Sequence, residues 1–195
     1  MPKVVDHVAR REEIIQAAIE ILAEGGPRML TMRSLARKLG GSMRLVNYYY
    51  PTRRALLEGF QRGLDERWQP ELDEMDAASS DPRVRLRSFL VWSLSLDEES
   101  RMEERAWLSL LSVPTEDQAA VATIHARASA WVHDQLMHRL HGLVSDDRLE
   151  EVAGQLHAAA RGIVVLSEEN PQEWPAHRQV ETLDAILKLC GLLPD

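Results

Sequence analysis

The chain has 195 residues, 45% of them hydrophobic, enough for one sizeable core or a small domain beside a larger one, and no apolar run approaches the roughly 20 residues of a membrane span. A single cysteine, Cys190, excludes an internal disulfide framework, and with no secretion-signal pattern at the N-terminus a cytoplasmic location is expected. The net charge of −8 argues against a polyanionic partner only until it is divided: residues 1–63 hold 11 Lys and Arg against 6 Asp and Glu, a balance of +5, while the rest carry −13.

The predicted elements are helical throughout. From Arg11 to Glu24, Ile14, Ile15, Ala18, Ile19, Ile21 and Leu22 recur at helical spacing, and Gly25, Gly26 and Pro27 stop the run. Thr31 is a cap for a short second helix, Met32 to Leu39. Gly40 and Gly41 form a tight turn, Ser42 can cap a third short helix from Met43, and Pro51 ends it. Thr52 caps a fourth helix carrying Leu56, Leu57, Phe60, Leu64 and Trp68, which Pro70 is expected to interrupt. Asp81 and Pro82 open a fifth helix, and Asp97, Glu98 and Glu99 lead into a sixth that ends at Pro114. Thr115 with Gln118 suggests a capping box for a long helix to about Leu140, broken by Gly142. Two more helices follow, roughly Asp146 to Glu168 and Pro175 to Leu192. The expected fold is all-α, about nine helices, with a three-helix head over residues 1–51 and a helical body over 52–195 connected by the helix at 52–68.

The stretch from Thr31 to Leu57 carries the function. Two short helices around a glycine turn, followed by a long amphipathic helix, have the layout of a helix-turn-helix, whose second helix enters the major groove. Met43, Arg44, Leu45 and Tyr48 would lie on one side of that helix, with Val46 and Tyr50 turned inward. Arg44 suits guanine acceptors, and Met43, Leu45 and Tyr48 suit thymine methyl groups or sugars. Arg33, Asn47, Tyr49 and Arg53 are placed to hold phosphates, with Ser42 at the helix start.

The segment from Leu35 to Leu57 resembles the signature of the tetracycline-repressor (TetR) family: Leu35 and Ala36, then Gly40, Gly41 and Ser42, a recognition helix ending in Tyr48, Tyr49 and Tyr50, and a following Thr52, Arg53 and Leu56. The likeness covers residues 11–63. Gly41 stands where a packing valine is usual, and a looser turn is expected there; Asn47, Tyr50 and Arg53 also depart from the commonest residues. The body resembles the BetI-like branch of the family through Glu104 to Leu108, the helix through Trp131 and the last two helices. The resemblance implies a homodimer through those two helices, with Leu156, Ala160, Ile163, Val164, Leu183 and Leu187 on the interface. It also implies a palindromic double-stranded DNA operator, and an effector whose binding shifts the fourth helix and releases DNA.

Trp68, Trp92, Met102, Trp107 and Trp131 can line an effector pocket or simply pack in the core. The acidic group at Asp97, Glu98, Glu99, Glu103 and Glu104 can attract a cationic effector or serve as a solvated helix start. His138 and His141, three apart, read as a solvent-facing pair rather than a metal site; no metal, cofactor or catalytic motif is expected. The rival reading is a ligand-binding or protein-interaction module with a vestigial DNA-binding head.

Overall fold

A computed structural model describes residues 6–112 and 118–194, apart from the side chains of residues 64 and 65. Among the described residues there are nine α-helices and no strand: α1 (His7–Gly25), α2 (Met32–Lys38), α3 (Met43–Tyr49), α4 (Arg53–Ala77), α5 (Pro82–Trp92), α6 (Glu98–Ser109), α7 (Gln118–Leu140), α8 (Leu149–Glu169) and α9 (Ala176–Leu189). Short 3-10 turns follow α6 and precede α8. The expected cap at Thr115 lies outside the described residues. Among the described residues no helix is long and apolar enough to cross a membrane.

Local chemistry accounts for most helix starts. Asp6 accepts from the N–H groups of Val8 and Ala9 at the start of α1. Thr52 accepts from Ala55 at 3.0 Å before α4, and Asp81 accepts from Arg83 at 2.8 Å before α5. Asp97 and Ser100 cap α6 reciprocally, and these bonds to Ser100 hold the Asp97 carboxyl below its ordinary range.

Pro70 does not end the fourth helix. α4 continues through it to Ala77, although the ring removes one backbone hydrogen bond. Beyond the proline, Leu72 is fully buried and Met75 packs beside the same core, so burial of the last turns offsets the missing bond.

The chain divides into two compact units, Met1–Trp68 with Met102–Ala126, and Gln69–Arg101 with Arg127–Asp195. The first is built on Ile14, Ala18, Leu22, Leu35, Val46, Leu57 and Phe60, joined by Ala106, Leu110 and Ile124. In the second, α8 and α9 pack together and α5 packs on α9, around Phe89, Leu136, Leu156 and Leu183. Leu156, Ala160, Ile163, Val164, Leu183 and Leu187, expected on the dimer face, are all buried inside the protomer, where their apolar stripes close α8 on α9.

Candidate nucleic-acid interface

Three short-range devices shape the helix-turn-helix. Thr31 and Ser34 form a capping box, with Ser34 N–H donating to the Thr31 hydroxyl at 3.0 Å and Thr31 N–H donating back at 2.9 Å. At the other end of α2, Gly40 takes φ +60°; its N–H donates to Arg37 O, and Gly41 N–H donates to Ala36 O, both at 3.1 Å. That pair of bonds is a Schellman closure, so the turn is tied down rather than loosened. A side chain at Gly41 would also bring its Cβ to 3.3 Å from Leu45 Cδ2, and glycine lets α3 sit close.

The third device is a ring under a glycine. Tyr50, at the end of α3, is buried against α4, and burial raises its phenol above the ordinary value. A Cβ at Gly59 would collide with the edge of that ring, at Cε1, and would lie 3.0 Å from Cζ. With Val46 also fully buried, α3 is held from below.

Its other face is open. Met43, Arg44, Asn47 and Tyr48 are exposed, Tyr48 to 71%, and Leu45 and Tyr49 are half-buried at the edge. Arg33 and Ser42 are exposed nearby in sequence. Ser42 has the extended backbone of a cap, yet its side chain makes no capping bond. Arg44 makes no hydrogen bond or ion pair to any described residue. A short helix carrying an unengaged arginine, a methionine and a tyrosine on one free face can read base edges.

Arg53, expected at a phosphate, is engaged within the head. Its guanidinium donates to Pro27 O at 2.9 Å and to Leu30 O, tying the α1–α2 loop to the start of α4. Those carbonyls lie outside a helix ladder, and Arg53 braces the loop through them. Lys38 is likewise engaged, 2.7 Å from Glu20 and 3.6 Å from Glu24, and the bond to Glu20 raises its pKa.

His7 was invisible to sequence reasoning. Its Nδ1 lies 2.8 Å from the Tyr49 hydroxyl, and its ring centroid is 5.8 Å from that of Tyr49 and 6.2 Å from that of Tyr48. The two tyrosines meet edge-on at 5.0 Å. Forty-two residues separate His7 from Tyr49, and no local pattern marks the pairing.

The effector candidates fall in two groups. Trp68, Met102 and Trp107 pack against the first unit's core, where Trp107 stacks on Phe60 and meets His125 edge-on at 4.4 Å. Trp92 and Trp131 belong to the second unit, 6.4 Å apart, each also in contact with Phe89. A cavity of about 220 Å³ in that unit is lined instead by Asp76, Pro82, Arg85, His138, Arg139 and His141. Of the acidic group, Asp97 serves as the α6 cap and Glu103 pairs with Arg67. Among the described residues no group of three or more His, Cys, Asp or Glu is placed to hold a metal ion.

A capped, glycine-closed helix pair presenting an exposed basic and aromatic face on an all-α chain defines a helix-turn-helix transcription regulator. Residues 14–60 match the family model for bacterial regulatory proteins of the tetR family, and residues 82–191 match that for the C-terminal part of BetI-type transcriptional repressors. The chain belongs to the TetR family, in its BetI-type branch. It is 25% identical over 167 residues to the HTH-type transcriptional regulator BetI of Brucella anthropi, covering 85% of this chain and 84% of that one. Its fold matches a transcriptional regulator from Rhodococcus sp. Rha1 with a TM-score of 0.79 at 21% identity, over 92% of this chain and 94% of that one. A regulator from Saccharomonospora viridis, solved in complex with choline, matches with a TM-score of 0.68 at 17% identity, over 92% and 96%. These relatives are transcriptional regulators rather than enzymes.

Proposed function

We propose that this regulator acts in the cytoplasm as a homodimer that reads a palindromic operator through α3 and is released by a small cationic effector. The observation that carries the DNA reading is the free face of α3: Met43, Arg44 and Tyr48 are exposed while Val46 and Tyr50 do the holding. Arg44 reads bases, and Arg33, Asn47 and Tyr49 hold phosphates. Residues 1–51 form the reading head, and 52–195 carry effector binding and dimerisation.

The dimer face we propose is the outer side of α8 and α9. Gly154, Ala158, Gly162 and Leu166 recur every four residues on α8 and are exposed; Ala185 and Leu189 are exposed on α9, the latter to 88%. Apart from the helix's own backbone and the chain neighbours, nothing among the described residues lies within 4 Å of a Cβ built at Gly154 or Gly162. A glycine inside a helix costs about 0.5–1 kcal/mol against alanine, and no contact among the described residues requires either one. Two helices approaching closely across a twofold axis would use both. A dimer also brings two α3 helices to one palindrome, so that modest contacts multiply.

For the effector, the faces of Trp92 and Trp131 beside Phe89 suit a quaternary ammonium cation, and the choline held by a regulator of the same fold supports that chemistry. Coupling of about 1–3 kcal/mol between effector and DNA would suffice for release. The helix that would carry it is α4, which begins in the first unit and ends in the second.

Selection of bound sequences from a random duplex library tests the function. An inverted repeat is expected; recovery of salt-sensitive binding without any preferred sequence would overturn it. Light scattering on Gly162→Leu is expected to show folded monomers, and an intact dimer would sink the proposed face. Choline is expected to raise the melting temperature, and equal stabilisation by its neutral isostere 3,3-dimethylbutanol would rule out recognition of the cation.

A further inference from the structure

We infer that His7 is a positioning residue for DNA, setting the direction of the Tyr49 hydroxyl and linking operator binding to uptake of a proton. This rests on the assignment of α3 as the reading helix. Asp6 fixes the start of α1 by accepting from Val8 and Ala9 at 3.0 and 3.1 Å, and so holds the backbone from which the His7 ring projects. The ring meets both tyrosines at the end of α3 and is itself exposed, on the side where Tyr48 is open to solvent.

The hydrogen bond between His7 Nδ1 and Tyr49 Oη admits two directions. When the neutral ring carries its proton on Nε2, Nδ1 accepts the phenol proton and Tyr49 offers only lone pairs outward. Lone pairs repel a phosphate oxygen. When the ring is protonated, Nδ1–H donates to Tyr49 Oη, and the phenol O–H turns outward as a donor for phosphate. The same protonation adds a positive charge beside the two rings. Both changes favour a polyanion, so bound DNA and the imidazolium stabilise each other. The charged residues nearest His7 along α1 are Asp6, Arg10 and Arg11, and on α3 the ring meets the phenols of Tyr48 and Tyr49, with Arg44 one turn before Tyr48. Arg10 is itself paired with Glu13.

Histidine is the side chain whose charge changes between about pH 5 and 8, which sets the range of the experiment. Affinity for the selected operator is measured at both ends of that range and at constant ionic strength, for the wild type, His7→Gln and Tyr49→Phe. The wild type is expected to bind about tenfold more tightly at the acid end, the gain of one charge-assisted contact. His7→Gln and Tyr49→Phe are each expected to lose most of that pH response while keeping their melting temperature and operator preference. A wild-type pH response retained in His7→Gln, or no response in the wild type, would overturn the inference while leaving α3 as the reader. Operator binding untouched by Arg44→Ala would instead remove α3 from that role, and the inference with it.

Discussion

In the helix-turn-helix, the residues suited to function lie apart from those that hold the fold: Met43, Arg44, Asn47 and Tyr48 are exposed, while Val46, Tyr50 and Leu35 are buried. In α8 and α9 the apolar residues that look fit for an interface, Leu156, Ile163, Leu183 and Leu187 among them, are already buried inside the protomer. What remains outside is small: Gly154, Ala158 and Gly162 beside Leu166 and Leu189. Function is legible where a residue has no structural duty. It is hidden where one apolar residue could serve a core or an interface equally well.

The largest expected effect tests this contrast in the second unit. Leu183→Ala should lose about 2–5 kcal/mol of stability in chemical denaturation, the toll of a cavity at a fully buried leucine. Unchanged stability with a dissociated dimer would return Leu183 to the interface. Gly59→Ala should lose about 1–3 kcal/mol in the same measurement, because its Cβ meets the Tyr50 ring. A smaller residue at position 50 should restore part of that loss. Tyr48→Ala should change stability by no more than about 0.5 kcal/mol while weakening DNA binding, since the side chain is exposed. A large loss of stability would show that the reading face also holds the head together.

The smallest expected effect is a pH dependence within the second unit. Burial, followed by the charges of Arg161 and His133, holds the His157 imidazole below its ordinary value of 6.5. The unfolded chain then takes up this proton before the native one does. The contribution of His157 is therefore complete above pH 6.5 and is lost as the pH falls below it. Denaturation across that range should show the decline, and His157→Gln should flatten it.

The helix pattern, the turn at Gly40 and the caps at Thr31, Thr52 and Asp81 were legible in the sequence because each rests on residues within a few positions of one another. The departures come from contacts that span the chain. Pro70 reads as a helix end, and only the burial of Leu72 and Met75 explains why α4 continues. Arg53 reads only as a phosphate ligand, and its bonds to the carbonyls of Pro27 and Leu30 span the chain. Gly41 reads as a loosening substitution until the backbone bond to Ala36 and the nearness of Leu45 are seen. His7 carries no signal at all, since its partner lies in another helix. The tryptophans divide between two cores, a partition that spacing along the chain does not encode.

The most direct test of the central claim is sequence selection carried out in parallel with the wild type and Arg44→Ala. Both proteins should select the same half-site spacing. The variant should lose a guanine preference at one position in each half-site, worth about 1–3 kcal/mol of discrimination. An identical motif from both proteins would contradict it, because the element reading the bases would then lie somewhere other than the exposed face of α3.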